Sequence, residues 1–467
     1  MNDNSTICAF STSPGQGAIA VIRVSGADAI SVCSRFFTPA GKSVFPPESG
    51  GRGATLSFGR IVRNEEVIDE VLVSIFHAPR SYTGEDIVEI SCHGSLYIRQ
   101  EILRLLLDNG CRMATAGEFT QRAFLNGKLD LSQAEAVGDL ITASSAASHR
   151  VAMQQMRGGF SHELAQLRDQ LLNFTSLIEL ELDFSDEDVE FADRSQLKEL
   201  ALRIAATIRR LVDSFSAGNA IKNGIPVAIV GETNVGKSTL LNHLLRDDKA
   251  IVSDIHGTTR DVIEDTVIIG GLLFRFIDTA GIRETHDTIE QLGIERTFQK
   301  IEQASIVLWV IDLTADPQTA EQLAPQIIDR KNGKKLILLL NKVDKLSKEE
   351  RMEKVSGYIH HNEDYMVFSA KSDTDIAALE HKLVEIANIP QIGDNDTIVT
   401  NLRHYEALTK ALSAVERVLE GLDSAISGDF LSQDIRECLD YLGAITGHEI
   451  TTDEVLGNIF SRFCVGN

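Results

Sequence analysis

Apolar residues fall along this chain in three different rhythms. Near the start, short Val- and Ile-rich runs at Ala18–Val24, Glu70–Phe76 and Ile87–Cys92 predict strands. Between them and the next segment, Ile98, Ile102, Leu105 and Leu106 share one face of a predicted helix over Leu96–Leu107. The stretch Phe37–Gly53, rich in proline and glycine, reads as loop. From Ser132 the spacing becomes helical. Leu164, Leu167, Leu171, Phe174 and Ile178 recur every three or four residues, and so do Leu197, Leu200, Ile204, Ile208, Leu211 and Phe215 after a break at 183–194. These are amphipathic bundle helices.

At Gly218–Pro226 the rhythm changes again. Short apolar runs now alternate with longer segments: Val227–Val230, Val262–Ile269, Leu272–Ile277, Ile306–Ile311, Leu336–Leu340 and Met366–Phe368. Alternation of this kind predicts a doubly wound, mostly parallel sheet. Gly270-Gly271 is a two-residue hairpin signal, so one strand runs antiparallel. After Pro390 the helical spacing returns at Leu402, Tyr405, Leu408, Leu412, Val415 and Leu419. The simplest layout is multidomain. An α+β domain over 1–122 precedes an all-helical domain, built from 123–220 and 390–467, into which an α/β domain over 221–389 is inserted.

Composition narrows this picture. The 467 residues suit about three domains. A net charge of −23 excludes coating of nucleic acid by bulk charge. The opening residues lack the basic and apolar regions of a signal peptide, and the longest apolar runs are too short to span a bilayer, so no membrane partner is expected. Six cysteines (Cys8, Cys33, Cys92, Cys111, Cys438, Cys464) form no C-x-x-C pair, which predicts a reducing, cytoplasmic setting without a zinc site.

The inserted domain carries the chemistry. Gly231-Glu-Thr-Asn234-Val235-Gly236-Lys237-Ser238, followed by Thr239, fits the phosphate loop G-x-x-x-x-G-K-[ST] and sits between a predicted strand and a predicted helix. Backbone N–H groups there face phosphate oxygens, Lys237 reaches the outer phosphates and the Ser238 hydroxyl suits magnesium. Asp278-Thr279-Ala280-Gly281 ends the next parallel strand and suits the magnesium shell and the outermost phosphate. Asn341-Lys342-Val-Asp344 ends another. A carboxylate there accepts from both the ring N–H and the exocyclic amine of guanine, a pair that adenine lacks. Ser369-Ala370-Lys371 would back the base. Ser253-Asp254-Ile255-His256-Gly257-Thr258-Thr259 reads as a switch loop, one of whose threonines completes the magnesium shell. Many GTPases place a water-orienting glutamine after the D-x-x-G glycine. Here Ile282 stands there, so hydrolysis is slow or another group acts, with Arg283, Glu284, Asp287 and Glu290 as candidates.

These motifs, with A-F-S-T-S-P-G-Q-G-A-I-A-V-I-R-V-S-G near the start, G-E-F-T-Q-R-A-F-L-N-G-K-L-D-L-S-Q-A-E-A at 117–136 and the terminal F-C-V-G-N, resemble the tRNA modification GTPase family MnmE, also called TrmE. The resemblance spans essentially the whole chain. It implies a folate-binding type N-terminal domain that forms a homodimer, with G domains that meet across the dimer when GTP and potassium are bound. It maps potassium ligands to Asn234, Ser253, Ile255 and Thr258, and magnesium to Ser238 and Thr259. It maps the water-orienting catalytic glutamate to Glu290, beside the catalytic Lys237 of the phosphate loop.

The resemblance further implies a site for 5-formyltetrahydrofolate or a related tetrahydrofolate at Arg23, Glu89 and Lys128. A carboxylate suits the amino-pyrimidine edge of a pterin, and cations suit the folate's glutamate tail. The family tail usually ends C-[IV]-G-K, whereas this chain ends Cys464-Val-Gly-Asn467. The family's terminal cation is thus replaced by the Asn467 amide and the main-chain carboxylate. Cys464 is the family's tail cysteine, to which a chemical role, packing or an inert thiol would each apply. Ser91-Cys92-His93 resembles a dyad, but adjacent strand residues face opposite ways.

The implied function is GTP hydrolysis coupled to a 5-(carboxymethyl)aminomethyl-type modification of the wobble uridine of certain tRNAs, with a flavin-containing MnmG-type partner. The alternative is a regulatory ribosome-assembly GTPase without modification chemistry. Such proteins usually carry a basic RNA-binding module, but residues 395–467 hold 12 acidic against 5 basic side chains.

Overall fold

The computed structural model describes residues 5–41, 45–46, 54–183, 194–245, 265–277, 299, 301–317, 320, 324–325, 327–329, 334–358, 364–389, 397–424, 426, 428–447, 463 and 466. The chain divides into two compact units. One comprises Met1–Gly138, Gln155–Ala205 and Lys410–Asn467; the other comprises Asp139–Gln154 and Ala206–Thr409. Among the described residues, no helix is long and apolar enough to cross a membrane.

The first unit opens with a seven-stranded sheet of β1 (Ile7–Phe10), β2 (Ile19–Ser25), β3 (Phe37–Pro39), β4 (Thr55–Arg63), β5 (Glu66–Phe76), β6 (Ile87–His93) and β7 (Arg112–Met113), in the order β3-β4-β5-β6-β2-β1-β7. The stretch Phe37–Gly53 is therefore not loop throughout, because Phe37–Pro39 pairs antiparallel with β4. A three-residue strand carries too little alternation to announce itself. Along β5 the pattern is period two. Val71, Val73 and Ile75 are buried with Ile22, Val24, Val88 and Ile90, and α1 (Ala29–Cys33) and α2 (Leu96–Asp108) cover that face through Val32, Ile102 and Leu106.

Helix α3 (Glu118–Leu125) is locked to this sheet by charge. Arg112 grips Glu118 with two guanidinium nitrogens at 2.7 and 2.8 Å, and the Thr115 amide donates to the same carboxylate at 2.9 Å. Arg122 donates to Glu118 at 3.1 Å and to Glu85 at 3.1 Å, and Ser25 donates to Glu85 at 2.8 Å. Burial alone would raise the Glu118 carboxyl, but these hydrogen bonds and the two guanidinium charges hold it at about 2.

Helices α4 (Leu131–Thr142), α5 (Ala146–Met156), α6 (Gly159–Asp183) and α7 (Arg194–Asn223) follow the predicted helical rhythm. On α6, Leu164, Leu167, Leu171 and Phe174 are buried, each worth about 1.5–3 kcal/mol relative to exposure.

The second unit holds a six-stranded sheet of β8 (Ile225–Val230), β9 (Asp265–Ile269), β10 (Leu272–Phe276), β11 (Ile306–Asp312), β12 (Lys335–Asn341) and β13 (Asp364–Val367), ordered β13-β12-β11-β8-β10-β9. All pairings are parallel except β9–β10, whose turn glycines Gly270 and Gly271 have φ 58 and 80, the left-handed pair such a hairpin needs. Of the predicted strand Val262–Ile269, residues 262–264 lie outside the described set. The unbroken apolar run of β11 is explained by burial on both faces. Ile306, Leu308 and Val310 enter one core with α8 (Lys237–Leu244), while Val307, Trp309 and Ile311 enter another. Helices α9 (Lys348–Tyr358) and α10 (Asp373–Ala387) also belong to the described part of this domain, and α11 (Leu402–Asp423) and α12 (Gly428–Thr446) return the chain to helix. In the bundle, α12 packs along α6.

Where the chain enters and leaves the α/β domain, its two crossings touch. The Val399 amide donates to Ser214 Oγ at 3.0 Å, and the rings of Phe215 and Tyr405 stack with centroids 4.4 Å apart. Gly218 allows this approach, since a Cβ there would lie 2.1 Å from the Val399 carbonyl oxygen.

A phosphate-loop site at the switch point of the inserted sheet

In the inserted domain β8 has β10 on one side and β11 on the other. The strand order therefore reverses at β8, and the C-terminal end of the strand at such a reversal is where open α/β sheets bind ligands. The loop Gly231–Gly236 fills that position and runs directly into α8, whose N-cap is Gly236. The sharp turn depends on backbone shape. Asn234 has φ 61 and Gly236 φ 109, and a Cβ on Gly236 would fall 2.3 Å from the Asn341 amide nitrogen. Lys237 Nζ folds back to donate to the carbonyls of Gly231 at 2.8 Å and Glu232 at 2.5 Å, over the loop it is expected to serve. Ser238 and Thr239 follow in the first turn of α8, at the positive end of its dipole.

Three neighbouring segments converge on this loop. Buried Asn341, at the end of β12, donates from Nδ2 to the Val235 carbonyl at 2.6 Å and accepts from the Ala370 amide at 2.9 Å. Lys342, left-handed at φ 66, donates to the Asn234 carbonyl and to the Asp312 carboxylate, each at 2.6 Å. Asp344, exposed in the 3-10 turn Val343–Lys345, accepts from Ser369 Oγ at 2.9 Å. The Ser369 amide in turn donates to Asp375 at 2.9 Å, on the helix capped by Ser372. Thus Asn234, Val235, Gly236, Lys237, Asn341, Lys342, Asp344, Ser369 and Ala370 form one connected network, and exposed Lys371 adjoins it in sequence.

Asp312 and Asp375 belong to the same network but carry no motif signature. Asp312 is detectable in sequence only as the last residue of an apolar strand run. Burial works against its charge, but Lys342 and Thr314 hydrogen bonds hold its carboxyl below the ordinary range. The switch residues Ser253, Asp254, Ile255, His256, Gly257, Thr258 and Thr259 lie outside the described residues. So do Asp278, Thr279, Ala280, Gly281, Ile282, Arg283, Glu284, Asp287 and Glu290, and the tail residues Cys464 and Asn467.

A second cluster lies in the N-terminal sheet. Arg23 on β2 and Glu89 on β6 are opposite each other in register, and Arg23 Nε donates to the carboxylate at 2.9 Å. The guanidinium lies over the rings of Tyr82 and Phe119, at 5.3 and 5.6 Å from their centroids. Burial raises the Tyr82 phenol, partly offset by Thr120 and Arg23. Neither ring stood out in the sequence. Lys128 donates to the Pro79 carbonyl at 2.9 Å. Gly466, next to the terminal Asn467, accepts from Ser11 Oγ at 3.4 Å, beside the end of β1. In the Ser91-Cys92-His93 stretch, Cys92 is buried, whereas His93 is exposed and bonds Asp69 at 2.7 Å.

Comparison with known proteins places both regions in one setting. The family model described as GTP-binding protein TrmE N-terminus matches residues 6–128, and that described as MnmE helical domain matches residues 131–464. A protein named tRNA modification GTPase MnmE from Bacteroides thetaiotaomicron is 62% identical over 464 residues, covering 99% of both chains. The protein of that name from Flavobacterium johnsoniae is 53% identical over 470 residues, covering 100% of both. Among solved structures, Aquifex aeolicus Era bound to GDP and AlF4− is 27% identical, covers 40% of this chain and 66% of its own, and superposes with a TM-score of 0.27.

Proposed function

We propose, from the premise that this chain belongs to the tRNA modification GTPase MnmE family, that its hydrolysis of GTP depends on potassium and drives a wobble-uridine modification carried out with a flavin-containing partner. The observation that carries the reading is the Asn341 bridge. One side chain ties the phosphate loop at Val235 to the Ala370 amide, while Asp344, three residues on, presents a carboxylate steadied by Ser369. That arrangement suits a guanine ring, whose N–H and amine both donate to one carboxylate.

The donor set fits the expected metals. Ser238 offers a hydroxyl at a helix N-terminus and Asn234 an amide oxygen, both hard oxygen donors. Ser238 with Thr259 would hold magnesium; Asn234, Ser253, Ile255 and Thr258 would hold potassium. When bound, the two cations offset charge that develops on the phosphates. Lys237 would swing from the Gly231 and Glu232 carbonyls to the outer phosphates, and Glu290 would orient the attacking water in place of the glutamine replaced by Ile282. The ion-paired Arg23 and Glu89 beside the Tyr82 ring offer a carboxylate, a guanidinium and an aromatic face, which fits a tetrahydrofolate. Lys128 would pair with its glutamate carboxylates, the Asn467 amide would offer a neutral hydrogen bond in place of the family's terminal cation, and the bound folate supplies the one-carbon unit. A homodimer of the N-terminal domains, with tRNA as substrate of the complex in the cytoplasm, completes the reading.

Two measurements test it. GTP turnover by the full chain should be at least about ten-fold faster in potassium than in sodium buffer, and Glu290→Ala should retain GTP affinity while losing most turnover. Nucleoside analysis of tRNA from cells lacking the protein should show wobble uridines without the 5-substituent. Equal turnover in both buffers would count against the potassium site, and full modification would count against the coupled chemistry.

A further inference from the structure

Asp312 ends β11 and pairs in register with Asn341 at the end of β12. Its two carboxylate oxygens have divided tasks. Oδ1 accepts from the amide and hydroxyl of Thr314, at 2.9 and 2.7 Å, which fixes the carboxylate plane. Oδ2 accepts from Lys342 Nζ at 2.6 Å, and that same nitrogen donates to the Asn234 carbonyl at 2.6 Å. The Asp312 and Lys342 side chains are 14% and 22% exposed, so water screens the pair only partly. Asn234 is the non-glycine residue of the phosphate loop held at positive φ, a conformation that costs even asparagine some energy and persists where its surroundings enforce it.

We propose that Asp312 is a positioning residue of the nucleotide pocket: it aims the Lys342 ammonium at the Asn234 carbonyl and so keeps the phosphate loop bent before a nucleotide arrives. A lysine stem has four rotatable carbons and many rotamers, and the ammonium alone has no reason to choose a backbone carbonyl over water or phosphate. The carboxylate supplies the choice. It also neutralises Lys342, so that this lysine acts as a strut and leaves the phosphate charge to Lys237.

The two possible roles of Lys342 predict opposite signs. If it attracts phosphate as a free cation, removing the Asp312 charge would tighten nucleotide binding. If it is a strut, the same change loosens binding, because the loop must now pay its bending strain out of the nucleotide's contacts. Asp312→Asn keeps the shape and can still accept from Thr314, but sets an amide against the ammonium.

The inference rests on the reading of this pocket as a guanine-nucleotide site. The test is titration of the full chain with mant-GDP and mant-ADP, alongside steady-state GTP hydrolysis. For Asp312→Asn, Kd for mant-GDP should rise about ten-fold, with kcat at saturating GTP within about two-fold of the unsubstituted chain. Asp312→Glu should recover most of the affinity. In a Lys342→Met background, Asp312→Asn should have little further effect. Unchanged or tighter binding by Asp312→Asn, or a loss of equal size in the Lys342→Met background, would overturn the proposal. Should Asp312→Asn fail to fold, Lys342→Met carries the test, and an unchanged Kd there overturns it equally. Failure of the unsubstituted chain to prefer mant-GDP over mant-ADP would sink the guanine reading and this inference together, whereas failure confined to the variants sinks this inference alone.

Discussion

The Asn341 amide nitrogen donates to the Val235 carbonyl across 106 residues of sequence, at 2.6 Å and out of contact with water. Its oxygen accepts from the Ala370 amide, so one planar group satisfies two backbone groups that no ladder reaches. Asn341→Ala leaves both unpaired, a cost of about 1–3 kcal/mol for each buried group. We expect mant-GDP affinity to fall at least about ten-fold, with a lower unfolding midpoint for the α/β domain. A titration that matches the unsubstituted chain would show that the bridge does not shape the pocket.

Base selection is expected to rest on Asp344. Inosine lacks the exocyclic amine of guanine, so the unsubstituted chain should bind GDP more tightly than IDP, by the value of one charge-assisted hydrogen bond, about 1.5–3 kcal/mol. In Asp344→Asn the charge is gone and that preference should shrink toward parity. Competition of GDP and IDP against mant-GDP measures it. Ser369→Ala, which removes only the steadying hydroxyl, should produce a smaller change in the same direction.

Gly236 gives a steric prediction. At φ 109, with a virtual Cβ 2.3 Å from the Asn341 amide, alanine meets both an unfavourable backbone and a hydrogen-bonded neighbour. Gly236→Ala should abolish measurable mant-GDP binding. The N-terminal sheet lies in the other compact unit, so its unfolding in urea should be unaltered.

Acid stability should report on Glu118. Its carboxyl is held at about 2, against 4.5 ordinarily. A lowered folded value stabilises the protein above the unfolded value and loses that contribution as pH falls from about 4.5 toward 2. The contribution is about 3 kcal/mol. Urea midpoints for the unsubstituted chain should therefore drop through that window. Glu118→Gln should start lower and show a flatter acid limb. Parallel curves for the two proteins would rule the network out as a source of acid sensitivity.

The legible parts of this molecule were those whose cause is local. The run Ile306–Ile311 announces a doubly covered strand because six successive apolar side chains have nowhere to go but two cores. Gly270-Gly271 announces its turn because few other residues accept that backbone. Gly236, Lys237, Asn341 and Ser369 could be placed close together from sequence because each stands at or just after the C-terminal end of a predicted parallel strand. Non-local pairings left no such trace. The Arg112–Glu118–Arg122–Glu85 network looks like scattered surface charge until β7 joins the sheet beside β1 and α3 is brought against it. The Tyr82 and Phe119 rings beneath Arg23 come from separate segments. Asp312 has a partner 30 residues away, and nothing in the spacing says which lysine it meets.

The clasp between Ser214 and Val399 has a consequence for how such a chain could arise and be taken apart. Two crossings that touch let the intervening α/β segment behave as a removable cassette, whose beginning and end occupy nearly one point. The surrounding helices then need no long span to accommodate it, and its length is almost entropically neutral to them. A short bridge from the region of Ser214 to that of Val399 would close the same gap that some 180 residues now close.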